Sequence, residues 1–431
     1  MNIVIFEDNS HDNFYPISLT KPLWELRSGM FSMRERFELF IEKNMNRKGR
    51  VFYFTREYLV PFYKEKYPHL KINDFSVFSD SDEILFINGT LYPQDFLLEI
   101  EKNNLYIIED TPIAGRIDPS LLDKNSGSIS EILMDSTGKG VNKNDYKKVE
   151  DSIGSVNFIW DLVALNNKWI TSDFSLLNKK DVPPSNNSVT LIGDNSRLYI
   201  EDNVKIDPFV VVDVSNGPVY IKSGSEIHSF TRIEGPCYIG SGTVVLGGKL
   251  RGGCSIGDCC RVGGEVEESI FHGYSNKYHD GFIGHSYIGE WVNLGAMTTN
   301  SDLKNNYKDI KIYIPDGKVD TAMNKVGTFI GDFTKTSIGT LLNTGSSLGV
   351  GTMMVHDGGF APAHVPSFAW FARSEVKDLS WFEDFLVTCG VVTSRRDIKF
   401  TEAYSSLLRE IYNMTAELRK KEASKWSKPM K

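Results

Sequence analysis

"IEDNVKIDPFVVVDVSNGPVYIKSGSEIHSFTRIEGPCYIGSGTVV", residues 200–245, sets an aliphatic side chain at every sixth place: Ile200, Ile206 and Val212, then Ile221, Ile227 and Ile233, then Ile239 and Val245. A helix repeats near 3.6 residues and an alternating strand at two, so a step of six belongs to neither. It belongs to a solenoid in which each hexapeptide forms one flat side of a triangular coil, its aliphatic side chain pointing inward onto the copy in the next coil. The step recurs at Ile256 and Val262, Ile288 and Leu294, and Leu348 and Met354. Glycine follows the aliphatic residue at Ile239-Gly240, Ile256-Gly257, Ile288-Gly289 and Ile330-Gly331. Glycine or a small polar residue is expected at the corners, where φ turns positive. The reading is a left-handed parallel β-helix of hexapeptide repeats over 190–370.

The rhythm breaks at 263–282 and at 297–328, and both stretches read as loops leaving the coil, where binding groups are commonly carried. The second contains KIYIPDGKVDT, a hairpin with a Pro-Asp-Gly turn. The first ends at His279, beside Lys277, Tyr278 and Asp280. An imidazole, with an ordinary pKa of about 6.5, takes a proton from an amine or hydroxyl attacking a thioester; the alternative is that His279 caps a loop. His285 directly follows Ile283-Gly284, an ordinary coil position, and reads as structural or solvent-facing.

Upstream of the coil, NIVIF (2–6), VFYF (51–54), EILFI (83–87) and LYII (105–108) read as strands, with SMRERFELFIEKN (32–44) and PQDFLLEIEKN (93–103) as helices. Strands alternating with helices predict a Rossmann-like α/β domain with a largely parallel sheet over 1–180. The polar, proline-marked KKDVPPSNNS (179–188) reads as a linker, placed at 181–189. In the tail, 371–431, Tyr404, Leu407, Leu408, Ile411, Tyr412 and Leu418 line one side of a helix expected to pack on the coil end or on a neighbouring chain.

The bulk properties set outer bounds. A chain of 431 residues holds two or three domains. A net charge of -8 and a pI near 5.6 argue against nucleic acid or an anionic membrane as the main partner. The apolar start, MNIVIF, is too short for a signal peptide, and no stretch reaches transmembrane length. Five cysteines (Cys237, Cys254, Cys259, Cys260 and Cys389) without CxxC spacing read as reduced cytoplasmic thiols and not as a metal site.

LRGG (250–253), GGEVEES (263–269), SNKYHDGFIG (275–284) and IGEWVNLGA (288–296) together carry a resemblance to the acetyltransferase half of the bifunctional glucosamine-1-phosphate acetyltransferase/N-acetylglucosamine-1-phosphate uridyltransferase family. The chain is similar to a bacterial two-domain, sugar nucleotidyltransferase-like group within it, from residue 1 to about 370. The resemblance implies that Arg251 holds a sugar phosphate, that His279 is the base and that Asn293 contacts the sugar or acyl group. It also implies that the backbone contacting CoA begins at Ala296. Acetyl-CoA would be the acyl donor, and the groove would lie between subunits of a homotrimer. Phe282 stands where the family has a tyrosine, and Ser269 where it has a lysine, for which Lys277 is offered as a spatial substitute.

In the first half the family's glycine-rich cradle is missing between 7 and 28. YPISLTKPLWELR (15–27) resembles the segment after it, and the resemblance implies Lys21, Arg27 and, on a later strand, Asn88 as contacts for nucleotide or sugar phosphate. Thr90 stands where the family has a Mg²⁺-binding aspartate, so any Mg²⁺ would fall to Asp8 or Asp110. Two readings stay open for this half: nucleotidyl transfer from a nucleoside triphosphate at a rearranged site, or sugar-nucleotide binding without catalysis. For the whole chain the leading expectation is an acyl- and nucleotidyltransferase acting on an amino sugar phosphate or nucleotide sugar. A nucleotidylyltransferase whose coil only oligomerises, or a non-catalytic sugar-nucleotide-binding assembly protein, are the alternatives.

Overall fold

The structure, a computed structural model, describes residues 1–45, 50–79, 82–122, 127–134, 146–148, 154–177, 189–355 and 357–426. It divides into two compact units: Met1–Asn13, Lys21–Leu26 and Phe31–Asn157, and then Phe14–Thr20, Arg27–Met30 and Phe158–Lys431. The expected linker 179–188 lies outside the described residues. The boundary after Asn157 differs from the expected 1–180 division, for a reason visible in the second unit.

The first unit is built on a seven-stranded sheet. Its order is Lys71–Ile72, Val51–Phe54, Asn2–Phe6, Ile84–Asn88, Thr111–Ile117, Asn104–Ile108 and Tyr146–Lys148. All four apolar runs read as strands are strands, and only Thr111–Ile117 runs against its neighbours. Helix Met33–Asn44 starts at a capping box, in which the Ser32 hydroxyl accepts from the Glu35 N–H (3.2 Å) and the Glu35 carboxylate from the Ser32 N–H (2.7 Å). The helix expected at 93–103 is instead one 3₁₀ turn, Asp95–Leu98. Pro93 bounds the stretch on one side and Asn103, at φ 64°, turns the chain into the next strand; a single turn is enough to bury Leu97 and Ile100.

The second unit is the expected three-sided coil. On its first side nine parallel strands stack Ile200, Ile221, Ile239, Ile256, Phe271, Ile288, Ile330, Leu348 and Val365 in one register. The second side stacks Ile206, Ile227, Val245, Val262 and Lys277. The third stacks Leu191, Val212, Ile233, Leu250, Val266 and Ile283. Each fully buried aliphatic rung contributes about 1.5–3 kcal/mol.

The expected first interruption is therefore corrected. Residues 263–282 form a regular coil, Phe271–Lys277–Ile283, hidden in the sequence because a phenylalanine and a lysine occupy two of its three inward positions. The second interruption is a true excursion. The coil passes through Asn300, departs, folds the hairpin Lys311–Ile314/Gly317–Asp320, and returns at Thr328.

One corner departs from the glycine rule. Cys259, Tyr274, Trp291, Phe333 and Phe368 all sit there at φ between 55° and 61°, a region bulky side chains rarely visit. Their rings offset the strain by stacking: Tyr274 on Trp291 at 4.4 Å, Trp291 on Phe333 at 6.2 Å. Helices Phe382–Ser394 and Glu402–Met414 dock on this aromatic edge. Phe385 meets Phe333 and Phe368 edge-on (6.2 and 5.5 Å), and Tyr404 meets Phe333 at 5.5 Å. The tail face read from sequence is accordingly buried at Tyr404, Leu407, Leu408 and Ile411.

The outer surface of the first side carries Tyr199, Tyr220, Tyr238, Tyr287 and Phe329, too apolar to face water. Helix Ile159–Leu176 covers it. Asn166, fully buried, donates to the Gly253 carbonyl (2.7 Å), and its carbonyl accepts from the Gly29 N–H (2.6 Å) and the Ser255 hydroxyl (2.9 Å). That helix and residues 27–30 therefore belong with the coil.

Candidate functional site

The second side of the coil presents an outward ladder in which Arg261, Asn276, Asn293 and Lys335 stand one above another. His279 follows at the next corner, exposed, with its ring edge-on to Tyr278 at 5.6 Å. His279, Asn293 and Ala296 share a groove of about 470 Å³ with Arg261, Ile338, Arg395 and Arg396. Through Asn276 and Asn293 it continues into a recess of about 310 Å³ lined by Tyr274, Trp291 and Lys335.

Among the described residues no carboxylate lines either cavity. Arg396 donates to the Asn276 carbonyl (3.1 Å) and to the Cys259 backbone (3.4 Å). Burial, and then the like charge of Arg261, holds its pKa below the usual value. The Lys335 ammonium is buried without a hydrogen-bond partner among the described residues, and burial lowers its pKa as well. Unpaired cations in a recess favour an anion. The Ala296 N–H donates to no acceptor among the described residues, whereas its neighbours Gly295 and Met297 donate to Thr336 and Asp280. Ala296 lines the same groove.

Lys277 is elsewhere than expected. It occupies the inward column between Val262 and the coil of Leu294, is 1 % exposed, and cannot reach a ligand as a phosphate contact. Its ammonium donates to the carbonyl of His279 and, at 3.4 Å, to that of Gly263. Burial pulls its pKa down to about 8, against a small opposing effect of Asp280. Ser269, also buried, spends its hydroxyl on the Glu267 carbonyl (2.7 Å). Replacing the buried cation by a hydrocarbon in Lys277→Leu is expected to stabilise the coil by about 1–3 kcal/mol in urea unfolding. The same change removes the tie on the His279 carbonyl and should speed amide exchange in 278–281.

Arg251 does not join the His279 groove. It is exposed on the third side, paired with Glu265 at 3.2 Å and Glu267 at 3.7 Å. On that side His285 lies between Asp302 (2.8 Å) and Glu268 (3.3 Å). His285 and Glu268 border a cavity of about 480 Å³ with Trp160 and Lys325. Burial would lower the His285 pKa, but hydrogen bonds to the two carboxylates prevail and raise it to about 9. His285 is thus a buried, carboxylate-paired cation, which corrects the solvent-facing half of its reading; Asp302, on the next coil, gave no sequence signal.

A group raised from 6.5 to about 9 on folding stabilises fully below 6.5 and ceases to as pH rises through 9. Stability is expected to fall by roughly 3 kcal/mol across that window, and His285→Gln should flatten this part of a denaturation-versus-pH profile.

In the first unit the strand ends Phe6 and Phe54 open on a cavity of about 340 Å³ lined by Glu7, Asp8, His11, Thr55 and Arg56. Burial would raise the Glu7 carboxyl, but the Arg56 charge and hydrogen bonds (2.8 Å from Nε) keep it ionised below its ordinary value. None of Lys21, Arg27 and Asn88 lines this cavity. Lys21 is 1 % exposed. Asn88 is saturated, donating to Asp8 (2.6 Å) and Pro112 (3.2 Å) and accepting from the N–H and hydroxyl of Thr90 (3.0 and 2.9 Å). Arg27 is corrected outright: it belongs to the second unit, where its guanidinium donates to the Met30 carbonyl (2.6 Å) and lies over Tyr238. The donor set does not fit a resident Mg²⁺. Asp8 is the one carboxylate bonded to Asn88, Thr90 supplies only a hydroxyl, and Asp110 is exposed in a turn of the far strands. No cluster of three metal-ligating side chains occurs among the described residues. The cysteines are free; four are buried and Cys259 is partly so. No helix among the described residues is long and apolar enough to cross a membrane.

Residues 3–182 match the family described as sugar nucleotidyl transferase. The bifunctional protein GlmU of Xylella fastidiosa (strain M12) is 28% identical over 231 residues, 49% of this chain and 46% of that one. A bifunctional sugar-1-phosphate nucleotidylyltransferase/acetyltransferase of Sulfurisphaera tokodaii is 33% identical over 155 residues, 35% of this chain and 36% of the other. The chain spans about half the length, or less, of these curated relatives. Among solved structures, a UDP-N-acetylglucosamine acyltransferase of Francisella novicida aligns with 55% of this chain and 86% of its own at 12% identity and a TM-score of 0.28.

Proposed function

We propose, from its similarity to bifunctional GlmU proteins, that this chain is a two-part transferase of sugar-nucleotide synthesis, in which the coil moves an acetyl or other acyl group from CoA to an amino sugar phosphate or nucleotide sugar. The observation that carries the proposal is the shared groove: His279, Asn293 and Ala296 line one cavity with Arg261, Arg395 and Arg396. In it the acceptor amine attacks the thioester carbonyl while the His279 imidazole takes the amine proton. The Ala296 N–H faces the oxyanion of the tetrahedral intermediate. Collapse breaks the C–S bond, and the departing thiolate receives the proton. The arginines and Lys335 neutralise the phosphates of the donor.

The arrangement favours an acceptor bound without Arg251 as its sole anchor, because Glu265 and Glu267 already pair with that guanidinium. The first unit is assigned to sugar-nucleotide recognition. Asp8 is bonded to Asn88 and Thr90 offers only a hydroxyl, so the described residues lack a Mg²⁺ donor set, which favours binding over nucleotidyl transfer. A homotrimer, a cytoplasmic location and a role in cell-envelope precursors complete the proposal.

The test is a substrate panel: acetyl-CoA with amino sugar phosphates and nucleotide sugars, read by free thiol, beside sugar-1-phosphate with nucleoside triphosphate and Mg²⁺, read by pyrophosphate. Thiol release that needs an amino sugar supports the proposal. Pyrophosphate release without any thiol release would replace it with a nucleotidylyltransferase.

A further inference from the structure

The excursion from the coil and the end of the coil enclose a cavity of about 980 Å³ that shares no residue with the His279 groove. It is within the size range of small-molecule sites, about 300–1,000 Å³. Its floor is aromatic: Tyr313 of the hairpin stacks on His364 at 3.6 Å and 22°, and Phe360, 60 % exposed, stands beside them. Burial, and then the charges of Lys425 and Lys318, hold the His364 pKa at about 3, so the stack is neutral.

The rim is cationic, with Lys311, Lys318 and Arg373. The carboxylates there are already balanced, Glu422 by Lys425 at 2.5 Å and Glu375 by Lys377 at 2.6 Å. Among the described residues Lys311 pairs only with Asp320, at 3.9 Å. The Arg373 guanidinium makes no hydrogen bond among the described residues, though its charge, after that of Lys377, helps hold the Glu375 carboxyl below its ordinary pKa. It is held at the mouth by a two-residue turn in which Arg373 and Ser374 both take positive φ, 53° and 58°. Such a turn favours Asn-Gly, so presenting an arginine here is an outlier that local preference does not explain.

We propose that this cavity is a second ligand site, taking a nucleotide whose base lies against Phe360 and Tyr313 and whose phosphates meet Lys311, Lys318 and Arg373. Aromatic stacking accepts any base, and the cations accept any phosphate. The adenosine diphosphate end of CoA and a uridine-type sugar nucleotide satisfy the same chemistry.

Hydrogen exchange of the full chain localises the answer. ADP, CoA, UDP, a UDP-sugar and inorganic phosphate are each added at millimolar concentration. At least one nucleotide is expected to slow exchange several-fold in 311–320 and 369–378. The effect should vanish in the double variant Phe360→Ala/Arg373→Asn, whose changes lie on exposed positions and whose asparagine tolerates the turn, and persist in His279→Ala. Protection by ADP and CoA alone identifies an adenine nucleotide bound apart from the acyl donor; protection by the uridine compounds identifies a sugar nucleotide. No protection by any nucleotide, protection matched by inorganic phosphate alone, or protection surviving in the double variant would overturn the proposal.

Discussion

His279→Ala is expected to lower the rate of thiol release from acetyl-CoA by about 10²–10⁴-fold, the usual contribution of a positioned acid–base group. The loss should appear in kcat, with the KM for acetyl-CoA changed little, because Arg261, Arg395, Arg396 and Lys335 are assigned to the donor and remain. The side chain is exposed at a corner, its ring edge-on to Tyr278. Removing it therefore leaves the columns intact, and unfolding should match the parent. Turnover within twofold of the parent would remove His279 from the chemistry and return it to a capping role.

Phe271→Ala is expected to have the largest effect on stability. The ring is fully buried in the first column between Ile256 and Ile288, and each coil rests only on its neighbours. Truncating a buried phenylalanine removes about 3–5 kcal/mol, since a stacked column cannot close the gap without shifting the coils on both sides. Two units need not unfold together, so native-state hydrogen exchange is the appropriate measurement. The opening free energy of strands Cys254–Ile256 and Tyr287–Glu290 should fall by that amount while the first unit's sheet is unaffected. Equal loss in both units, or none in these strands, would contradict the column.

What could be read from the sequence follows from which physical rule each residue obeys. Ile221, Ile227 and Ile233 obey the simplest rule, an aliphatic side chain at each inward position, and their coil was visible. Phe271–Lys277–Ile283 obeys the same geometry with a ring and a cation, and its coil read as a loop. The corner at Tyr274, Trp291 and Phe333 breaks the preference of positive φ for glycine because stacking and two docked helices outweigh local strain. His279, Asn293 and Ala296 lie within eighteen residues of chain and were found together. Arg395, Arg396 and Lys335 complete the groove through tertiary packing alone, without a local motif. Lys21 and Arg27 are close in sequence, yet the chain changes unit between Leu26 and Arg27, so proximity along the chain was misleading there.

The two helices docked on the aromatic edge also constrain assembly. That edge of the prism is sheathed by its own chain, so lateral association between copies must exploit the other two edges. One of these carries Phe209 and Phe230, ring upon ring at 5.6 Å and both largely in solvent. Trimming the sheath would unmask a second apolar edge and give copies of the chain another surface on which to adhere.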